Sequence, residues 1–263
     1  MISLILCSNI IGQVFWLSDI NAAKSVAKKT NKLIVMDFWA SWCAPCGIMD
    51  YKLWENSEVI NISKKFVALK INVDNEGQLA SSYNVRVIPN LIIVTASGDP
   101  IWSETGFMDA DNYISILKAL PDNVGELNRA SLAYSENKKD LKANYSVGTE
   151  FQRVGKGIKN NELKTAFMNC SEKYLAKAKK LNKDPLLAEE IELYQVLNDV
   201  YRGRIQKALK EAENIAQNPQ NEKIVEFRHF ILAKCYKSAK RPDDYMKEKD
   251  LIKNKEFLDQ LEY

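Results

Sequence analysis

The sequence is short of histidine, of net charge and of long apolar runs, and each shortage argues against a class of function. Its 263 residues contain a single histidine, His229, and carry a formal net charge of only +3. So small a charge does not indicate a nucleic-acid-binding protein. No run approaches the roughly 20 apolar residues that a membrane-spanning helix requires, so we expect no integral membrane segment.

Cysteine is also scarce, and three of the five cysteines stand singly at Cys7, Cys170 and Cys235. A structural zinc site needs about four nitrogen or sulfur ligands. One histidine and scattered thiols do not supply such a set, and we expect neither a metal nor another cofactor. The remaining two, Cys43 and Cys46, form a Cys-x-x-Cys pair. Taken alone, such a pair is compatible with redox chemistry, with zinc binding or with an inert role.

The surroundings of this pair favour redox chemistry. It follows closely on an apolar run, residues 33–39, that predicts a buried central strand. A helix that opens at the pair places Cys43 at its N-terminus, where free N–H groups and the helix dipole stabilise a thiolate. Pro45 fits the first helical turn because no intrahelical hydrogen bond is lost there. Because the two cysteines are three positions apart, their sulfurs are close enough to form a disulfide.

Composition and pattern divide the chain in two. Residues 1–124 hold ten basic and twelve acidic residues and all five tryptophans, whereas the remainder holds 27 basic and 22 acidic residues. Strand and helix signals alternate in the first part and end in a hairpin, which predicts an α/β domain with a mixed sheet flanked by helices. The predicted elements are helices 18–30 (with Ser18 as N-cap), 43–55, 57–65, 76–84 and 109–120, and strands 33–39, 67–73, 91–95 and 100–104.

After residue 125 the pattern is helical throughout. Apolar residues recur at a spacing of three or four over 163–175, 205–215 and 225–239. Paired helices with short polar breaks predict an all-α, helical-hairpin domain. They resemble tetratricopeptide-type repeats, although the repeat signature is missing. We therefore predict one domain over 14–124 and a second over 125–263.

The N-terminal segment admits two interpretations. Residues 1–16 are largely apolar, and a break at Gly12-Gln13 fits a secretory leader over 1–13. The first basic residue is Lys24, so the segment lacks the basic start of a good signal peptide and could instead be a buried first strand. We favour the leader, which predicts the cell envelope, the periplasm or secretion. A cytoplasmic location is the alternative.

Residues 37–46 (Asp-Phe-Trp-Ala-Ser-Trp-Cys-Ala-Pro-Cys) resemble the active-site segment of thioredoxins. The resemblance continues in order along the chain and covers roughly residues 14–120. Residues 66–74 are similar to the next strand of the family, and residues 83–99 to the segment with its cis-proline and last hairpin. The longer stretch 53–60 is similar to the thioredoxin-like domains of cell-envelope thiol:disulfide interchange proteins.

The resemblance implies roles for four residues. Cys43, with its sulfur facing solvent, is the expected nucleophile, and Cys46 resolves the mixed disulfide; together they form the redox disulfide. Asp37 is alone in an apolar strand, so burial should raise its pKa and allow it to accept the proton of Cys46. Lys70, on the neighbouring strand, is expected to face Asp37 and to tune it. For Asp37 the alternative is a carboxyl that merely caps a strand end, and for Lys70 it is a solvated charge on the strand.

The resemblance also implies that five residues contact a substrate: Trp42, Ala44, Pro45, Ile88 and Pro89. The Ile88–Pro89 bond should be cis, which turns the backbone so that the N–H and C=O of Ile88 can pair with an extended substrate strand. An ordinary trans proline is the alternative. Trp42 is expected to shield the edge of the disulfide, although a packing role would fit the sequence equally well.

We therefore expect a thiol:disulfide oxidoreductase that reduces protein disulfides and is itself reduced again by an upstream thiol reductant. Ala44-Pro45 resembles the Gly-Pro of reducing thioredoxins and lacks the histidine of oxidising relatives, so the Cys43 thiolate should be less stabilised and the disulfide harder to reduce. Gly47 departs from the basic residue often found in the family, and Asp50 adds negative charge, so the redox potential does not follow from the motif alone.

Two other functions fit the same residues. The chain could be a scaffold that binds a partner through the groove beside Pro89 and through α-hairpins in its second half. It could also be a disulfide isomerase with chaperone activity, in which the helical domain holds the substrate.

Overall fold

The computed structural model describes residues 12–215 and 221–262. The chain forms two compact units, Met1–Asn128 and Arg129–Tyr263. Most of the predicted leader, residues 1–13, lies outside the described residues. Within the described ranges, no helix is both long and apolar enough to cross a membrane.

The first unit alternates strands and helices, as its sequence predicts. Its elements are β1 (Trp16–Leu17), α1 (Ile20–Thr30), β2 (Leu33–Trp39), α2 (Ala44–Met49), a π-helical turn (Asp50–Trp54), α3 (Ser57–Ile62), a 3₁₀ turn (Ser63–Lys65), β3 (Phe66–Asn72), α4 (Gly77–Ser82), β4 (Asn90–Val94), β5 (Pro100–Thr105) and α5 (Ala110–Lys118).

The five strands form one mixed sheet in the order β1-β3-β2-β4-β5. β3 runs parallel to both β1 and β2, whereas β4 runs antiparallel to β2 and β5. The central strand β2 is buried over Leu33–Phe38, because helices cover both faces of the sheet and demand apolar side chains on each. This is the α/β architecture that the sequence predicts, with the carboxyl end of β2 leading directly to the cysteine pair.

Two local predictions were wrong. Asp19 rather than Ser18 caps α1, because the helix begins at Ile20 and the Asp19 carboxylate accepts a hydrogen bond from the Ala22 N–H at 2.6 Å. The helix predicted over 43–55 is regular only to Met49 and continues as the π-helical turn, where the Glu55 N–H bonds to the Asp50 carbonyl at 3.0 Å.

A buried amide fastens the end of the first unit to its sheet. Asn128 is 2% exposed; its Nδ2 donates to the Lys32 carbonyl and its Oδ1 accepts from the Ala96 N–H, each at 3.0 Å. Lys32 precedes β2 and Ala96 follows β4, so the side chain joins the ends of two neighbouring strands. The segment just beyond residue 124 therefore completes the hydrogen bonding of the sheet.

Beyond the sheet the chain is helical, as predicted. The patterns at 163–175, 205–215 and 225–239 fall on helices, and the described residues contain five further ones. The eight helices are α6 (Gly125–Glu136), α7 (Leu141–Gly155), α8 (Asn161–Leu181), α9 (Pro185–Tyr201), α10 (Ile205–Asn214), α11 (Glu222–Ser238), α12 (Pro242–Lys249) and α13 (Lys255–Glu262).

We predict that Gly148→Ala destabilises the second unit. A methyl at Gly148 on α7 would lie 2.7 Å from the Leu175 Cγ on α8, closer than two carbon atoms can pack. Overpacking should outweigh the helix propensity that alanine gains, for a net loss of about 1–2 kcal/mol in the free energy of unfolding. Denaturant unfolding followed by far-ultraviolet circular dichroism measures it, since all five tryptophans lie in the first unit.

The matched control is Gly157→Ala, where the nearest atom to the added methyl is the Val154 carbonyl oxygen at 3.6 Å. Equal midpoints for the two variants would contradict the prediction.

Candidate functional site

The two cysteines of the motif are joined at the carboxyl end of the central strand. Cys43 and Cys46 form a disulfide of 2.01 Å, with their Cα atoms 5.3 Å apart. Cys43 is the N-cap of α2, and its Sγ accepts a hydrogen bond from the Cys46 N–H at 3.2 Å. Pro45 occupies the first turn, as predicted. The helix thus directs a backbone donor at the first sulfur.

Cys43 is less exposed than the sequence suggests. The expected solvent-facing residue is 7% exposed, and Cys46 is 3% exposed. Both pack in a small apolar cluster with Ala40, against which Val73 and Ile88 also lie. The side chains of neighbouring loops cover the disulfide, a non-local effect that the motif does not reveal. Cys43 remains the more accessible of the pair.

The loop before β4 forms one side of the site. The Ile88–Pro89 peptide bond is cis, as predicted, and Ile88 packs against the cysteine cluster. The Pro89 carbonyl accepts a hydrogen bond from the Gly106 N–H at 2.8 Å, which holds the end of β5 beside it. The backbone N–H and C=O of Ile88 bond to no described residue. This leaves a donor and an acceptor on the backbone beside the disulfide.

Trp42 lies at the surface and is not packed into the core. The residue is 67% exposed, and its indole Nε1 lies 3.1 Å from each carboxylate oxygen of Asp74. The hydrogen bond fixes one edge of the ring while its faces remain open to contact. Ala44 and Pro45 are exposed as well.

Asp37 is buried in β2 and carries a strongly shifted pKa. The residue is 2% exposed, its Oδ2 accepts a hydrogen bond from the Trp54 Nε1 at 3.0 Å, and its Oδ1 has no hydrogen-bond partner among the described residues. Burial raises the pKa to about 6, against the opposing effect of the nearby Lys70 ammonium. The carboxyl is therefore desolvated, as its place in an apolar strand predicts.

Lys70 lies across from Asp37 on β3, as predicted. The two residues are paired in the parallel register, and the Lys70 Nζ is 3.6 Å from the Asp37 Oδ2. The ammonium makes its closer contact with the carboxylate of Asp50. It also lies over the rings of Trp16 and Trp39, 5.3 and 5.4 Å from their centroids. The lysine is a shared counter-ion, not a solvated charge.

Sequence reasoning gave Asp50 only a negative charge near the cysteines and gave Trp54 no role, although a signal for both was present. Both follow Cys46 at intervals of four residues, a spacing that keeps side chains on one side of a helix. An α-helix rotates slightly past that alignment at each step, and the wider π-helical turn Asp50–Trp54 offsets the drift. Asp50, one α-helical step after Cys46, contacts Lys70, and the π-helical turn brings Trp54 to Asp37.

The arrangement has the parts that two-electron thiol chemistry needs. A disulfide lies at the start of a helix, a carboxylate that can hold a proton near neutral pH lies in the strand leading to it, and an unpaired backbone segment lies beside it. The structure therefore brings together Cys43, Cys46 and Ile88 in one cluster and Asp37 with Lys70 in another. Trp39, the last residue of β2, contacts both clusters.

Comparison with known proteins agrees with this geometry. Residues 13–119 match the family model described as Thioredoxin. A thioredoxin of Mycoplasmoides gallisepticum is 34% identical over 89 residues, which are 34% of this chain and 85% of that protein. A thioredoxin of Staphylococcus aureus is 34% identical over 91 residues, which are 35% of this chain and 85% of that protein.

Among solved structures, the thioredoxin of Malassezia sympodialis is 26% identical, and the match covers 41% of this chain and 90% of that protein, with a TM-score of 0.35. The family assignment accordingly rests on the sequences. These relatives and the paired cysteines identify a thiol:disulfide oxidoreductase, and the chain belongs to the thioredoxin family.

Proposed function

We propose that this protein reduces disulfide bonds in other proteins, with Cys43 as the nucleophile and Cys46 as the resolving thiol. The observation that carries the proposal is the Cys43–Cys46 disulfide at the N-terminus of α2, next to the unpaired backbone of Ile88. A hydrogen bond from the Cys46 N–H to the Cys43 sulfur would also stabilise a thiolate at that position. The structure corresponds to the oxidised state, after the electrons have been transferred.

The proposed reaction has two exchange steps. In the dithiol form, the Cys43 thiolate attacks one sulfur of a substrate disulfide; a mixed disulfide forms and the other substrate sulfur leaves as a thiolate. The Cys46 thiol then loses its proton and attacks the Cys43 sulfur. The mixed disulfide breaks, the second substrate sulfur leaves, and the Cys43–Cys46 bond forms. Two electrons pass to the substrate, and an upstream dithiol must return two electrons to the pair.

In this reaction Asp37 accepts the proton of Cys46. A carboxylate with a pKa raised to about 6 by burial is mostly ionised at pH 7, yet it is a far better base than an ordinary aspartate. Its Oδ1, without a partner among the described side chains and backbone groups, has lone pairs free to take the proton. Lys70 then compensates the negative charge when the proton is released.

The substrate would lie across Trp42, Ala44, Pro45, Ile88 and Pro89. The exposed Trp42, Ala44 and Pro45 offer apolar surface on one side of the disulfide. On the other side the N–H and C=O of Ile88 can pair with an extended chain in the manner of an added strand. Backbone pairing recognises an unfolded or looped segment without specifying its sequence, which suits a general reductant of protein disulfides.

We propose the reducing direction and a location in the cell envelope. Ala44-Pro45 places no cation between the cysteines, so the reduced state has less stabilisation than a histidine would give it. Asp50, part of the site through Lys70, adds negative charge just beyond the helix that carries Cys46. The location rests on the apolar character of residues 1–13.

The helical unit is proposed to bind a protein partner. Between α8, α9 and α10 lies a groove of about 570 Å³, lined by both acidic and basic side chains such as Glu192, Lys179 and Lys207. Such a surface favours a polar polypeptide over an apolar ligand. We retain the tetratricopeptide-like arrangement of its hairpins as part of this proposal, together with domain limits of 14–124 and 125–263.

We predict that Cys46→Ser accumulates a mixed disulfide with insulin. Without the resolving thiol, the adduct formed by Cys43 cannot be released in the second exchange step, so mass spectrometry should find insulin chains attached at Cys43 and released by dithiothreitol. Insulin reduction with dithiothreitol as electron donor should fall about 100-fold or more. The control is Cys43→Ser, which should form no adduct. Equal, negligible rates for the native chain and Cys46→Ser would instead favour the scaffold.

We predict a redox potential nearer to about −270 mV than to about −120 mV, the values typical of a reducing and a strongly oxidising family member. Equilibration of the full chain with glutathione buffers measures it. Pro45→His should raise the potential, because the imidazole adds a positive charge beside the Cys43 thiolate. Pro45→Ala separates this effect from loss of the proline. A native potential at the oxidising end would reject the reducing direction.

We predict that Asp37→Asn slows insulin reduction about 100-fold. A base with a pKa of about 6 is ionised above that pH, so the native rate should rise through pH 6 and then level off. The amide cannot accept the proton, and the variant should lose this inflection. Retention of the inflection in Asp37→Asn would assign it to another group.

Asp37→Asn should also be more stable than the native chain at pH 7. This result would exclude structural damage as the cause of its slower insulin reduction. Because the folded pKa of Asp37 is raised from 3.8 to about 6, its contribution to stability is present below pH 4 and is lost as the pH rises through 6. Asp37→Asn has no such loss, and should gain about 1–3 kcal/mol at pH 7. Guanidinium unfolding of the oxidised chain, followed by tryptophan fluorescence, tests this.

A further inference from the structure

Lys70 lies between two carboxylates that differ in exposure. The side chain of Asp37 is 3% exposed, that of Lys70 19% and that of Asp50 37%. The ammonium is in direct contact with the outer carboxylate of Asp50 but is 3.6 Å from the inner one, beyond an ordinary hydrogen-bond distance. The ammonium is therefore closer to the carboxylate of Asp50, which is partly hydrated, than to the buried carboxylate of Asp37, which has lost its hydration.

Two features keep the ammonium in this position. The rings of Trp16 and Trp39 flank it at 5.3 and 5.4 Å and restrict its movement. Asp50 is fixed in turn by its own backbone, because its N–H bonds to the carbonyl of Cys46 at the end of α2. The position of Lys70 is thus coupled to the helix that carries the resolving cysteine.

We propose that Asp50 is a positioning residue: it holds the Lys70 ammonium away from Asp37 and so keeps the buried carboxylate able to take a proton. If Asp50 were neutral, Lys70 could move by about 0.8 Å and donate a hydrogen bond directly to Asp37. That pair would stabilise the ionised carboxylate and make it a weaker base. The role rests on the proposed action of Asp37 as proton acceptor, but its test does not depend on that action.

Asp50 can affect Asp37 by two routes, and they must be separated. Its negative charge repels the charge on Asp37 and so raises the pKa of Asp37 directly, while Lys70 and the Trp54 hydrogen bond lower it. In the proposed route, the contact of Asp50 with Lys70 raises the same pKa by keeping the ammonium away from Asp37. In the part of the site that the structure describes, these are the charged and hydrogen-bonding groups that act on Asp37. Only the second route passes through Lys70.

The first measurement is the titration of the Asp37 side-chain carboxyl carbon by NMR in the oxidised full chain. Asp50→Asn should lower the midpoint by about one pH unit or more, a tenfold change in the proton affinity. Asp50→Glu should largely restore it, since a carboxylate is present again. The matched control is Glu55→Gln, which removes the same charge from an exposed residue one position beyond the π-helical turn and should leave the midpoint unchanged.

The second measurement repeats the Asp50→Asn substitution in a Lys70→Met background. If Asp50 acts through Lys70, the shift should shrink to less than about half of that seen with Lys70 present. Lys70→Gln serves the same purpose if the methionine variant fails to fold. Equal shifts in both backgrounds would reduce Asp50 to a repelling charge and overturn the proposal, as would no shift with Asp50→Asn or an equal shift with Glu55→Gln.

The two proposals fail in different experiments. If insulin is not attached at Cys43 in the Cys46→Ser chain, the proposed reductase is lost while the titrations still stand. If the Asp37 midpoint does not respond to Asp50 through Lys70, the positioning role is lost while the trapping result stands.

Discussion

The cost of burying one carboxylate in the middle of a sheet organises the charged part of this site. Asp37 interrupts an otherwise apolar central strand, and an ionised group there loses its hydration. The fold offsets only part of that loss, with one indole hydrogen bond and a cation at 3.6 Å. The remainder is expressed as a raised pKa, and this incomplete compensation would let Asp37 act as the proposed proton acceptor near neutral pH.

This balance explains why a full ion pair at Asp37 would be counterproductive. A lysine in direct contact would bring the pKa of the carboxylate back towards that of an ordinary aspartate. The competing carboxylate of Asp50 prevents this without removing the cation from the neighbourhood. The position of Lys70 between the two carboxylates thus affects both the free energy of unfolding and the proton affinity of Asp37.

The sequence predicts the framework of the site well and its finer electrostatics poorly. The apolar run 33–39, the Cys-x-Pro-Cys turn and the Ile88–Pro89 bond are local signals, and Asp37 and Lys70 face each other because strand register is regular. The four-residue spacing of Cys46, Asp50 and Trp54 is visible in the sequence, but the π-helical turn Asp50–Trp54 that brings Trp54 to Asp37 is not. The low exposure of Cys43 depends on loops distant in sequence. In the second unit, periodicity marks helices, whereas their pairing depends on side-chain fit such as that of Gly148 against Leu175.

The position of Asn128 bears on where the redox unit ends. The matched family segment stops at residue 119, and the change in composition falls near residue 124. Yet the strand ends at Lys32 and Ala96 take their hydrogen bonds from a residue beyond both limits. A fragment cut at either limit would remove the partner of the buried Ala96 amide, at about 1–3 kcal/mol, and that of the part-buried Lys32 carbonyl. A fragment that keeps these hydrogen bonds is therefore longer than the matched segment 13–119 and includes the beginning of α6.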